Sequence, residues 1–459
     1  MAVYDLIFIG SGAAGTSAAV AAKHEGASRV AIVEQGPVWG TCINVGCIPS
    51  KFLLALAESA YYRNYDHPGI RIDSQFSLKD ALAGKKEFID SRLKQKYDHI
   101  VTTLGIEIIE GKASFESAHK LRVAGRLLTA DRFVIATGSS PAIPPIDGIT
   151  SVPYMTNVEA LDPERIPSSL IVIGGRALGL EFAQMYTHLG AEVTILQRSS
   201  RILPENEPEI ADLLAGYLTE EGIRILAGSE IHKAEQTGDR TIVAVTVRGK
   251  EERVSAERLL LATGRTPNSA ALQPGKAGVK TGKNGEVIVD VTMRTSVPHI
   301  WAAGDVTGEP MLETAARYGG EIAGLNAFSE LKRSFNRSTL PYGIFTTPGV
   351  AGMGMTVEQA KQAGLHPIAR STRMDAMAKS GIMGDIRGMV MLVADRATGR
   401  LLGMHICSPL ATEIVHAGVL AIANNMTVDD IAGIYHVFPT VAEAISICAR
   451  GLSRDISCS

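Results

Sequence analysis

The chain has 459 residues and a formal net charge of −3, too long for one ordinary domain and too near neutrality to make nucleic acid or an anionic membrane an expected partner. Its five cysteines are an odd, low number, unlike a secreted disulfide scaffold. The N-terminus lacks the basic region of a signal peptide and no apolar segment reads as a bilayer span, so the expected setting is a reducing cytoplasm.

Leu6-Ile7-Phe8-Ile9 is a short apolar run, as a buried parallel strand should be. It leads into Gly10-Ser11-Gly12-Ala13-Ala14-Gly15 and then an Ala-rich helix-forming stretch. Gly10 suits the tight turn, Gly12 lets a pyrophosphate approach the backbone, and Gly15 lets the helix pack on the sheet. The next strand ends at Glu34, placed to accept from a ribose 2′-OH. Strand, glycines, helix, strand and acid in that order outweigh a bare Gly-rich turn.

The run from Gly40 to Lys51 carries Cys42 and Cys47. Four intervening residues match neither a zinc knuckle nor a thioredoxin motif, and two thiols just beyond a dinucleotide turn point to a reversible dithiol fed by a flavin. A charged, helical stretch runs from Lys79 to Thr103, and Pro141 and Pro144-Pro145 mark an exit into a second domain. There Leu170-Ile171-Val172-Ile173 meets Gly174-Gly175-Arg176-Ala177-Leu178-Gly179, with Arg176 in the middle glycine's place. The following strand ends in Gln197, not an acid, with Arg198 and Arg201 beyond it. A missing carboxylate beside guanidinium groups suits a 2′-phosphate and favours NADPH over NADH, although such arginines are often only solvated surface charges.

Two dinucleotide units and a dithiol form a relay, and on these motifs the chain resembles the FAD-dependent pyridine nucleotide–disulfide oxidoreductases along essentially its whole length. The resemblance implies an α/β fold: two Rossmann-like dinucleotide-binding domains, for FAD and NAD(P)H, and a C-terminal α+β dimerisation domain. The expected boundaries are 1–146 and 266–340 for the FAD domain, 147–265 for the nicotinamide domain and 341–459 for a domain that completes the partner's active site in a homodimer. Thr41, Ala136-Thr137-Gly138, Gly264 and Gly111-Lys112-Ala113 fall at the family's cofactor-contact and domain-crossing positions. Ala302-Ala303-Gly304-Asp305 resembles the second flavin motif, with Asp305 on the ribityl chain. The resemblance also implies that Lys51 lies near flavin N5 and pairs with Glu181, that Cys47 is the flavin-side thiolate, and that Cys42 is the outer, interchange thiol.

Disulfide reductases of this family have a C-terminal His-Pro as acid and base, because a leaving thiolate must be protonated. Here Phe438-Pro439 stands at that place, with Glu443 retained and His436 two residues away. A substrate that releases no thiol tolerates the loss, and Hg(II), soft and thiolate-seeking, is one. Phe-Pro and the run GTCxNVGCxPSK at residues 40–51 are similar to the mercuric reductases. In those, tail cysteines pass the metal to the partner's dithiol, which assigns Cys42, Cys47 and Cys458 as metal-handling thiols with Hg(II) as substrate. Ser459 and Thr440 depart from that pattern. An NADPH-dependent disulfide reductase, with His436 or water as acid, is the alternative, and Tyr97 matches a family tyrosine near the disulfide. Cys407, Cys448, His405, His416 and the methionines between Met353 and Met391 are expected to be structural.

Overall fold

The computed structural model describes residues 3–62, 75–330 and 332–458. They form two compact units, each threaded from three stretches: Met1–Phe52, Lys79–Ala142 and Gly264–Arg337 in the first, Leu53–Leu78, Ile143–Thr263 and Ser338–Ser459 in the second.

The first unit is built on a twisted sheet. Strand β1 (Val3–Ile9) lies between β2 (Val30–Glu34) and β6 (Arg126–Ile135), parallel to both. Strand β3 (Glu107–Glu110) flanks β2, while β5 (Lys120–Val123) and β4 (Ala113–Ser117) extend the other side antiparallel. The late strand Ile300–Ala302 joins β6 in parallel. Both faces of β1 are covered, so Leu6, Ile7 and Phe8 are fully buried and the strand reads as a continuous apolar run. Helix α1 (Ala13–His24) packs closely on Glu313–Phe328. A Cβ at Gly320 or Gly324 would lie 2.2 or 2.1 Å from the carbonyl oxygens of Ala14 and Ala18, so only glycine permits that approach. The charged stretch is helical from Leu78 to Thr103, with one π-helical segment at Phe88–Lys94.

The second unit has a parallel sheet with strands in the order Arg224–Ala227, Glu192–Gln197, Ser169–Ile173, Arg258–Leu261, Tyr154–Met155. Helix Ala177–His188 follows the central strand. Three antiparallel strands, Ser229–Thr237, Arg240–Val247 and Lys250–Ala256, form a separate sheet. The C-terminal part is an antiparallel five-stranded sheet in the order Tyr342–Ile344, Gly349–Gly354, Leu401–Ser408, Met389–Asp395, Pro367–Arg373, against which helix Glu443–Ser457 packs. Parallel sheets with crossover helices and an α+β C-terminal part make the α/β architecture the motifs imply.

A buried ionic cluster ties the second unit together. Arg387 donates to Glu221 at 2.9 Å and to both oxygens of Asp385 at 2.9 and 2.7 Å, and the acid side chains are only 3% and 4% exposed. Glu221 also accepts from Gln184 at 2.7 Å and pairs with His188 at 3.0 Å. Gln184 is bound in both directions to the backbone of Thr347.

Cys407 and Cys448 are fully buried, and Met353, Met374, Met377, Met389 and Met391 fill core positions. His405 is buried and its Nε2–H donates to Met355 O at 3.1 Å, a structural role, whereas His416 is exposed. One expectation needs correction: the stretch Gly40–Tyr61 has the length and mean hydropathy (1.4) of a bilayer span. It breaks at Gly46 and carries the dithiol, Lys51 and Glu58, which mark it as part of the dinucleotide-binding architecture.

Candidate active site

The first dinucleotide turn is shaped by backbone clashes. Gly10 has φ +111°, and a Cβ there would meet Ala136 O at 2.2 Å; a Cβ at Gly15 would meet Gly10 O at 1.9 Å. Gly12 is nearly open, its nearest neighbour being Gly40 Cα at 3.9 Å. Glu34 fixes the turn: its Oε2 accepts from Ser11 N–H (2.8 Å) and Oγ–H (2.7 Å), its Oε1 from the N–H groups of Gln35 and Gly36 (2.8 and 2.9 Å). A ribose hydroxyl would have to share or displace one of these donors, and the rotatable Ser11 hydroxyl is the easiest to move.

The dithiol grows out of this turn. Trp39 N–H donates to Ser11 Oγ at 2.8 Å, and Gly40 lies against Gly12 so closely that a Cβ would sit 2.6 Å from Gly12 Cα. Helix α2 (Gly40–Val45) carries Thr41, exposed, and Cys42; Asn44 Nδ2 ties it down by donating to Val38 O and Gly40 O at 2.8 Å each. A side chain at Gly46 would strike Thr41 O and Cys42 Cα, so this glycine lets α2 fold back on α3 (Cys47–Tyr62). The two sulfurs are thereby brought into hydrogen-bonding contact, both as free thiols.

The two thiols are perturbed in opposite directions. The bond to Cys47, then burial, pushes the Cys42 thiol far up, with the charges of Cys47 and Glu313 adding to it. Cys47 is pulled down, first by the bond from Cys42 and, against burial, by the Lys51 ammonium. Its place as first residue of α3 adds the positive end of a helix dipole. Tyr97 is half-buried, its hydroxyl pushed up by burial and then by the charges of Cys42 and Glu313.

Further along the first unit, Asp305 accepts from Ser139 Oγ at 2.6 Å, and Arg265 donates to Ser139 Oγ and O. Gly138 and Gly264 have φ of +67° and +108°, and Asn268 bonds Gly138 O and Thr137 O. Thr137 Oγ1 is buried with no partner among the described residues, and Gly111 turns the chain into Ala113 at the start of β4. Open backbone at Gly12 together with an orphaned hydroxyl fits a flavin dinucleotide on this unit.

The second turn repeats the first. Gly174 has φ +121° with a Cβ clash of 2.2 Å on Ala262 O, and Gly179 clashes at 1.9 Å on Gly174 O. Gln197 Oε1 accepts from Gly175 N–H at 2.8 Å, as Glu34 does from Ser11, so its side chain is held in the turn. Arg176 pairs with Glu205; Arg198 is exposed; Arg201 Nη1 is buried with no partner among the described residues. A neutral strand end and an unpaired guanidinium nitrogen fit a phosphorylated ribose. Glu181 is buried and accepts from Phe345 N–H at 2.9 Å.

In the C-terminal segment, Tyr435, Val437 and Phe438 are 99%, 78% and 74% exposed. Glu443 accepts from Thr440 N–H at 3.0 Å, and His436 Nδ1 lies 3.3 Å from Ile434 O. Cys458 is exposed and caps helix Glu443–Ser457. Among the described residues no three His, Cys, Asp or Glu converge. Trp39 and Gly46 were missed from sequence: neither belongs to a residue class that signals chemistry.

Comparison with known proteins agrees with this geometry. Residues 4–320 match the model for pyridine nucleotide-disulphide oxidoreductases, and residues 340–448 match the family's dimerisation domain. Mercuric reductase of Lysinibacillus sphaericus is 38% identical over 99% of this chain and 83% of its own length. That of Streptomyces lividans is 36% identical over 99% of this chain and 97% of its own length. Among solved structures, the HOCl-induced flavoprotein disulfide reductase RclA from Escherichia coli superposes with TM-score 0.87 at 29% identity, covering 97% of this chain and 99% of the other. A Cu(II) complex of RclA aligns with TM-score 0.88.

Proposed function

The chain belongs to the pyridine nucleotide–disulphide oxidoreductases, which use FAD and a nicotinamide nucleotide, and on that footing we propose that it is an NADPH-dependent mercuric reductase. The observation that carries this reading is Phe438: an apolar, exposed ring stands where a disulfide reductase of this family needs its acid. The mercuric reductases at 35–38% identity over nearly the whole chain support it.

FAD, when bound, supplies two electrons drawn from the nicotinamide. Gly10, Gly12, Gly15, Glu34, Thr41, Ala113, Thr137, Gly138, Gly264 and Asp305 would hold it, and Gly174, Gly179, Gln197, Arg198 and Arg201 would hold NADPH. Cys42 and Cys47 offer two sulfurs side by side, which suits the linear two-thiolate coordination of Hg(II). The bond from Cys42 and then the Lys51 ammonium favour the thiolate at the inner sulfur. Binding Hg(II) displaces the thiol protons, and no thiol has to be protonated for Hg(0) to leave. Cys458 is suited to collect the ion, because it is exposed, and to hand it to the dithiol of the partner subunit in a homodimer. A cytoplasmic location, where NADPH is held reduced, agrees with this chemistry.

The second reading is a disulfide reductase, favoured by the likeness to RclA and by the single tail thiol. NADPH oxidation by the yellow holoprotein separates the two, with Hg(II) in excess small thiol run beside Cu(II), oxidised glutathione and lipoamide. Release of volatile mercury with little disulfide turnover supports mercuric reductase. Robust disulfide turnover without mercury release refutes it.

A further inference from the structure

A bulky residue with positive φ is uncommon, because its Cβ crowds the backbone. Trp39 is such a residue, at φ 76°, immediately ahead of the helix that carries Cys42. It is 2% exposed, and its Nε1–H is buried with no hydrogen-bond partner among the described residues. A left-handed backbone and an unpaired buried donor both disfavour this residue here. No hydrogen bond of the side chain offsets them, so the compensation lies in what the ring touches. Ile43 and Ile89 share its apolar cluster. Tyr97, at the start of helix Gln95–Thr103, lies 5.4 Å away from ring to ring, tilted by 31°.

We propose that Trp39 is a positioning residue: its indole holds the Tyr97 ring beside Cys42 and so limits what reaches the outer thiol. The position of Trp39 supports this. Its N–H is fixed on Ser11 Oγ, and Gly40 is pressed against Gly12, so the indole is anchored to the dinucleotide turn and cannot drift with α2. Ile43, next to Cys42 on α2, belongs to the apolar cluster against which Tyr97 packs, which sets the phenol against the helix that carries the outer thiol. The proposal rests on the dithiol being the reacting centre, and is indifferent to whether a metal ion or a disulfide is the acceptor.

The test is therefore a thiol reaction, not turnover. Reduced holoprotein is alkylated with iodoacetamide and the rate at Cys42 is read by peptide mass mapping. Wild type is compared with Trp39→Gly, Trp39→Phe, Tyr97→Ala and the Trp39→Gly/Tyr97→Ala double variant. Trp39→Gly and Tyr97→Ala each raise the rate about threefold or more, the scale of coupling between touching side chains. The double variant is no faster than Tyr97→Ala alone, and Trp39→Phe, which keeps a ring, stays near wild type. An unchanged rate in Trp39→Gly overturns the proposal. So do effects that multiply in the double variant, or a Trp39→Phe rate equal to that of Trp39→Gly. Should Trp39→Gly lose its flavin, Trp39→Leu takes its place with the same expectations.

Discussion

Replacing Arg387 by Met removes a cation shared by Glu221 and Asp385. Both acid side chains are almost inaccessible, at 3% and 4%, and Arg387 itself is 13% exposed, so solvent offers little screening. Removing one partner of a buried pair typically costs about 3–5 kcal/mol, because the other charge is left uncompensated. At about 2–4 °C per kcal/mol for a large domain, the melting transition of the second unit should fall by roughly 6–20 °C at pH 7. The pH dependence carries a sign. In the wild type burial pushes Glu221 up, but bonds from His188 and Gln184 and the charges of His188 and Arg387 overcome it and leave the carboxyl below its usual range. That stability is present above the unfolded carboxylate range, near pH 4.3, and is lost as pH falls through the folded value. Without Arg387 the Glu221 carboxyl sits higher, so protonation relieves the variant first and its deficit shrinks as pH falls towards 5. Scanning calorimetry of the holoprotein at pH 7 and pH 5 measures both effects, and adding Asp385→Asn to the variant should recover part of the loss. A melting point within about 2 °C of wild type at pH 7, or a deficit that grows on acidification, would refute the reasoning.

Arg201→Gln should lower the NADPH-to-NADH preference in kcat/KM by about 10–100-fold, the loss of one charge-assisted contact to phosphate, with kcat at saturating NADPH little changed. Phe438→His should raise turnover of oxidised glutathione or lipoamide at least about tenfold if only the acid is missing, read as NADPH oxidation near neutral pH. His405 is held below its ordinary value by burial, against bonding to Met355 O and the charge of Glu207. It adds nothing to stability above pH 6.5, where both states are neutral. Stability falls as pH drops below 6.5, since the unfolded chain takes the proton first; urea titrations at pH 7, 6 and 5 should show a smaller slope in His405→Gln.

The motifs carried most of what could be read in advance. Gly10, Gly15, Gly174 and Gly179 were assigned from spacing alone, and each is where a Cβ would collide with backbone. Such signals are local, because turn, strand and helix sit within a few residues of one another. The duty of Gln197 in holding its own turn was not legible, since a glutamine at a strand end carries no marker of its partner. Nor was the Arg387 cluster, whose hydrogen bond to Glu221 spans 166 residues of sequence. Trp39 stayed invisible for a different reason: positive φ is inferred from glycine or asparagine, and a tryptophan gives no such sign. The span-like hydropathy of Gly40–Tyr61 reflects composition alone, since Gly46 breaks the stretch into two helices.

The threading of the first unit has a consequence for biosynthesis. Strand β6 gains its neighbour Ile300–Ala302 only after the whole nicotinamide segment has left the ribosome. At about 5–20 residues per second, the roughly 160 residues between Ala142 and Ala302 take about 8–32 s to emerge. Through that interval the apolar end of β6, Phe133–Ile135, is an open edge, a template for pairing with the wrong chain. Yield of active protein should therefore depend on translation speed and on chaperones that cover sheet edges, more than the equilibrium stability of the finished molecule would imply.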